Sequence, residues 1–133
     1  MKTWKDKPSD DEVRVELQAF FDTLRTGKLD EAEAMVAHAY PDWNESIYAL
    51  FQDHYLIHAT PADSSFEGNA WKTDRAWLAD LTIGDNVEWM GKNRNVLWVD
   101  IVYRGEASGY VGEFMLQSGD VGFFLERQAF KMA

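Results

Sequence analysis

His54 and His58 stand four residues apart, with Tyr55, Leu56 and Ile57 between them. On a helix that spacing puts both imidazoles on one face, where they can share a metal ion or work as an acid–base pair. A metalloprotease helix needs glutamate directly after the first histidine, and Tyr55 holds that place. His38, Asp53 and Asp63 are further possible donors, but no spacing fixes any of them beside the pair, so neither a metal site nor a cofactor is expected. As acid–base groups the two histidines would titrate near neutrality, with Tyr48 or Tyr103 to set a tautomer. Nucleophile signatures are missing: the chain has no cysteine and no Gly-x-Ser-x-Gly, and Ser64-Ser65 has no base at a defined spacing. Glycine-rich phosphate cradles are missing too. Trp71, Trp77, Trp89 and Phe66 are residues that either stack a flat apolar ligand or fill a core.

These groups belong to 133 residues, read as a single domain, 1–133, with its core at about 10–130. Hydrophobic residues make up 46% of the chain, which excludes disorder. No apolar run approaches the ~18–20 residues that span a bilayer. With 23 acidic against 13 basic residues the net charge is −10, which repels phosphate backbones and anionic membranes. The longest basic cluster, Lys92-Asn93-Arg94, reads as the tip of a turn, so neither nucleic acid nor membrane is an expected partner. A basic protein would suit the acidic excess. The opening MKTWKDKPSDDE has no apolar stretch behind its lysines, so a cytoplasmic location is expected.

Helices must position the histidines. Ser9 followed by Glu12 is a capping box, and Val13, Leu17, Phe20, Phe21 and Leu24 form one apolar stripe behind it. Gly27 stops that helix. Asp30 with Glu33 repeats the box and opens a short second helix to about His38, which Pro41 prevents from continuing. Asn44 caps a third helix over 44–58, with Ile47, Leu50, Phe51, His54, Ile57 and His58 on one stripe. A polar loop covers 61–68.

From about Arg75 the period becomes two. Strands are expected at 75–83, 87–90, 96–104, 110–117 and 121–130, with turns at Gly84-Asp85-Asn86, 91–95 and Ser118-Gly119-Asp120. The fold class is α+β: three N-terminal helices packed on a curved antiparallel sheet. One parity of the strands, from Trp77, Ala79, Leu81 and Ile83 through Leu97, Val99, Ile101 and Tyr103 to Phe114, Leu116, Phe123 and Leu125, must face the helices. On that side only Tyr103, and Arg127 if the alternation lasts, are polar. A small hydrophobic ligand between helices and sheet would meet Tyr48, His54, Tyr55, His58, Trp77 and Tyr103. A bulge at Asp100 would bring a carboxylate inside. The opposite parity interleaves Trp98, Val102, Met115 and Phe124 with Asp100, Arg104 and Glu126, a mixture suited to a two-fold homodimer through the sheet face. Trp4, alone in a charged segment, is read as docking on the domain or on a neighbouring chain.

A capped helix ending FFDTLRTGKLDEAEAMV, a third helix and a meander closing on VGEFMLQSGDVGFFLERQAF together resemble the nuclear-transport-factor-2-like superfamily, the cystatin-like or ketosteroid-isomerase-like cone fold. The resemblance covers about 10–130 and implies a cone-shaped half-barrel with a pocket between sheet and helices. It also implies frequent dimers through the sheet. Members include isomerases, dehydratases, polyketide cyclases, ligand-binding modules and accessory domains. The isomerases use an aspartate base with a tyrosine and a protonated aspartate. Asp100 lies in a suitable strand but on the wrong parity, so those roles do not carry over. Three readings follow: a small-molecule-binding protein with an apolar pocket, an enzyme using pocket His and Tyr groups, or an acidic interaction module. Whether the pocket is catalytic is left open by the residues.

Overall fold

In the computed structural model, which describes residues 1–39 and 79–132, the first helix, α1, runs Asp10–Arg25. It begins with the expected capping box. The Ser9 hydroxyl accepts from the Glu12 N–H at 3.2 Å, and the Glu12 carboxylate accepts from the Ser9 N–H at 3.1 Å. Such a cap is worth about 1 kcal/mol. Three acidic residues in the first turn and Arg25 in the last suit the helix dipole. The whole predicted stripe, from Val13 to Leu24, is buried.

The second helix, α2, spans Leu29–Met35 and departs from expectation at both ends. Its N-cap is Lys28, with no side-chain hydrogen bond, so the Asp30–Glu33 box does not form. Its C-cap, Val36, is already extended, and Ala37–His38 forms a short strand, β1. A helix of two turns is too weak on its own to hold residues that have a strand partner available.

The remaining strands are β2 (Leu81–Met90), β3 (Val96–Tyr103), β4 (Glu106–Gly119) and β5 (Gly122–Met132), in the order β1-β5-β4-β3-β2. β2 to β5 form the expected antiparallel meander, but β1 joins β5 in parallel. The sheet is therefore mixed rather than antiparallel, and among the described residues it stays open. Ala79 and Asp80 form an exposed 3₁₀ turn, and β2 starts at Leu81; residues 75–78 of the expected strand lie outside the described residues. Gly84-Asp85-Asn86 is not a turn either. β2 runs through it as a bulge, with Ile83 opposite Ile101 and Val87 opposite Val99. That absorbs the extra residues while Ile83 and Val87 both meet the core. The hairpins are tighter than expected: Arg104 (φ 51°) and Gly105 (φ 79°) make a two-residue turn, and Gly119 pairs with Gly122.

The alternation holds where it matters. Leu81, Ile83, Leu97, Val99, Ile101, Phe114, Leu116 and Leu125 are buried in one core with the α1 stripe. Each such side chain contributes roughly 1.5–3 kcal/mol by leaving water. Phe20 meets Phe114 edge-on at 6.0 Å, and Phe21 meets Phe130 at 6.3 Å. Polar ties run along α1 to β2 and the turn before it: Trp89 Nε1 donates to Asp10 (2.7 Å), Arg14 to the Gly84 carbonyl (3.2 Å) and Arg25 to the Ala79 carbonyl (3.1 Å). Trp4 docks back on the domain. It pairs with Phe123 in both directions, at 2.9 and 2.7 Å, and its side chain joins the core. Two helices are described, and the expected third helix at 44–58 and the loop at 61–68 lie outside the described residues. No described helix is long and apolar enough to cross a membrane.

Candidate functional site

β5 carries the inner-face parity two residues past Leu125 and so buries Arg127, which is 1% exposed. It is the only buried charged side chain among the described residues. The parallel register sets His38 directly beside it on the same face. Arg127 Nε lies 3.2 Å from His38 Nδ1, and His38 Nε2 lies 2.8 Å from the Glu33 carbonyl. A guanidinium can only donate, so Nδ1 accepts and the ring proton resides on Nε2, donating to Glu33. Burial lowers the His38 pKa, and the nearby Arg127 charge adds to the drop. The bond to Glu33 and the carboxylates of Glu33 and Glu126 pull the other way without reversing it. The imidazole is neutral with one tautomer fixed.

Past Arg127 the ladder slips. Phe114 faces Arg127 while Glu113 faces Ala129, so Gln128 is the extra residue of a bulge. That slip turns Phe130 inward, where its ring lies 5.6 Å from the Arg127 guanidinium. It also turns Lys131 outward. Tyr103 is half-buried at the inner end of β3, and Arg104 lies 5.0 Å from its ring centroid. Ser108, buried where β4 departs from its register with β3, donates to the Ile101 carbonyl at 2.6 Å and accepts from the Tyr110 N–H at 3.1 Å.

The outer face holds the strand carboxylates. Asp100 stays exposed even though the ladder shifts immediately after it, so no bulge carries it inside. Glu113 Oε1 accepts from Trp98 Nε1 (2.8 Å) and Lys131 Nζ (2.9 Å), and the same ammonium lies 4.7 Å above the Trp98 ring. Burial alone would raise the Glu113 pKa, but these two donors outweigh it and hold the carboxyl below its ordinary value. Glu126 accepts from Gln128 (2.7 Å) and Gln117 (3.2 Å), and Arg104 pairs with Asp80 at 3.3 Å. Val102, Met115 and Phe124 sit half-buried among them.

Of the residues named for ligand binding, Tyr103 is on the inner face, while Tyr48, His54, Tyr55, His58 and Trp77 lie outside the described residues. Of the residues named for a dimer, Trp98, Asp100, Val102, Met115, Phe124 and Glu126 lie on the outer side of the meander strands, whereas Arg104, expected at the end of a strand, sits in the β3–β4 turn. Sequence reasoning named His38 only as a possible metal donor and missed its pairing with Arg127. Among the described residues no group of three His, Asp or Glu is placed to hold a metal ion. One surface cleft of about 340 Å³ is lined by Lys2, Trp4, Asp11, Glu12, Val15 and Glu16. Burial there raises the Glu16 carboxyl against the pull of Lys2 and the α-amino group. No protein-family model matches the sequence, and the comparisons with curated proteins and with solved structures give no match either.

Proposed function

We propose that this chain is a small-molecule-binding protein of the nuclear-transport-factor-2-like kind, with an apolar ligand held between the inner face of the sheet and the helices. The carrying observation is the sorting of side chains by face. The inner side of the meander is mostly apolar, with Tyr103 and the buried Arg127 among its polar side chains, while Asp100, Glu113 and Glu126 all lie on the outer side. An apolar wall without a carboxylate suits an apolar ligand, whereas a carboxylate base on this face would favour proton abstraction. Titration with a panel of flat apolar compounds, followed by tryptophan fluorescence, is expected to give saturable quenching at one site per chain. Tm should rise with ligand concentration. No saturable quenching and no Tm rise across the panel would overturn the reading. Turnover that disappears in H54A or H58A would move it to the enzyme class.

A second copy of the chain is the partner that the outer face favours. Its central carboxylates, Glu113 and Glu126, are already satisfied by donors on their own face. Two such faces can meet across a two-fold axis with these two carboxylates already paired, and with Trp98 and Met115 as apolar anchors.

A further inference from the structure

Residues 1–8 are hydrogen-bonded to the domain at one point. Among the described residues their only hydrogen bonds are two: the Trp4 N–H donates to the Phe123 carbonyl at 2.9 Å, and the Phe123 N–H to the Trp4 carbonyl at 2.7 Å. The Trp4 side chain is 8% exposed and belongs to the core, while Lys5, Asp6 and Lys7 are exposed on the way to the N-cap at Ser9. The place that receives Trp4 is shaped for an extended segment. Phe123 presents its donor and acceptor from the edge of β5, as in strand addition. Gly122 leaves room for the Trp4 carbonyl, which a Cβ there would meet. Asp11, Glu12 and Glu16 of α1 line the cleft alongside, acidic where a segment carrying Lys2, Lys5 and Lys7 is basic. We propose that this slot also takes the Trp4 segment of a second copy of the chain, so that two molecules exchange their N-terminal segments.

The reason lies in what the linker leaves out. Every hydrogen bond that holds the segment is made by Trp4, and residues 5–8 add none, so their part is to keep the segment near its slot. A short flexible tether of that kind acts as an effective concentration in the millimolar range. A segment from another copy makes the same two backbone bonds, fills the same core position and meets the same acidic wall. Exchange therefore conserves the contacts of both molecules, as each receives what it gives up.

The second copy wins the slot wherever the resident segment lacks its indole. It supplies the segment most readily when its own slot is closed. Exchange stands apart from the ligand reading and from the dimer through the outer face, because it concerns only the Trp4 segment, α1 and the edge of β5.

Two full-length variants that complement each other test it. W4A keeps the slot and loses the occupant, whereas G122A keeps the Trp4 segment and closes its own slot. In isotope-labelled W4A the Phe123 amide is expected to exchange at least about tenfold faster than in the wild-type protein, read by NMR. Unlabelled G122A should restore that protection, rising with its concentration and saturating near the millimolar range, about where the tether acts. The double variant W4A/G122A should restore none. Where W4A does not fold, a synthetic peptide of residues 1–7 added to labelled wild-type protein replaces it. Displacement should then move the Trp4 indole N–H signal to its free position, and the same peptide with Trp4→Ala should leave it in place. No restoration by G122A up to about 1 mM, or equal restoration by the double variant, would overturn the exchange. With the peptide, an unmoved Trp4 signal would do the same.

Discussion

Glu113 shows how a single carboxylate is tuned by its neighbours on a sheet. Its two donors, Trp98 and Lys131, come from β3 and β5, so the bond set crosses three strands. Charge-assisted bonds of this kind contribute about 1.5–3 kcal/mol each when buried, and less at the partial exposure of this face. E113Q keeps the shape and removes the charge, and it should destabilise the fold by about 1 kcal/mol at neutral pH. Because the folded pKa is lowered, the wild-type advantage is present above the ordinary carboxylate value and disappears as pH falls through the folded one. Urea denaturation at pH 7 and in acid checks this, and an equal cost at both would mean the charge is not used. Arg127 was legible at this scale, since strict alternation from Phe123 places it inside. Lys131 was not, since alternation alone puts it on the inner side and only the bulge at Gln128 turns it out.

Elements were readable where they carry their own signal. The capping box and five-residue stripe define α1 locally, and β3 to β5 announce themselves by period, whereas Gly84-Asp85-Asn86 made β2 read as two strands. β1 has two residues and no period, and its partner lies 89 positions away, so only the fold reveals it. The Trp4 strap depends on a backbone detail that was equally hidden. Gly122 has φ 102°, and a Cβ there would run into the Trp4 carbonyl. G122A should therefore lower stability by about 1–3 kcal/mol and release the strap, read by denaturation and by loss of Trp4 amide protection. G119A, where an added methyl meets only the Phe124 ring at 3.8 Å, should change stability by about 0.5 kcal/mol or less. Equal effects at the two glycines would sink the account of the strap.

For the molecule as a whole, the sequence conveyed the α+β class and the sorting of the sheet into two faces, because parity is a property of every strand at once. It did not convey the mixed sheet, since one parallel strand leaves no trace in composition. The proposed dimer belongs to this scale. Sedimentation across the micromolar range should show two chains for the wild type and one for M115E, which sets an unpaired carboxylate at the centre of the outer face. A monomeric wild type would remove the dimer and leave the inner face untouched.

The edge of β5 has a temporal meaning as well. The β3–β4 and β4–β5 hairpins close through two-residue turns and need little chain entropy to find their register. Trp4 and His38 reach the same strand only after most of the polypeptide has been brought around. Refolding should therefore zip the hairpins early and add these two N-terminal attachments last. The interactions that complete the edge then govern how fast it reopens more than how fast the chain first collapses.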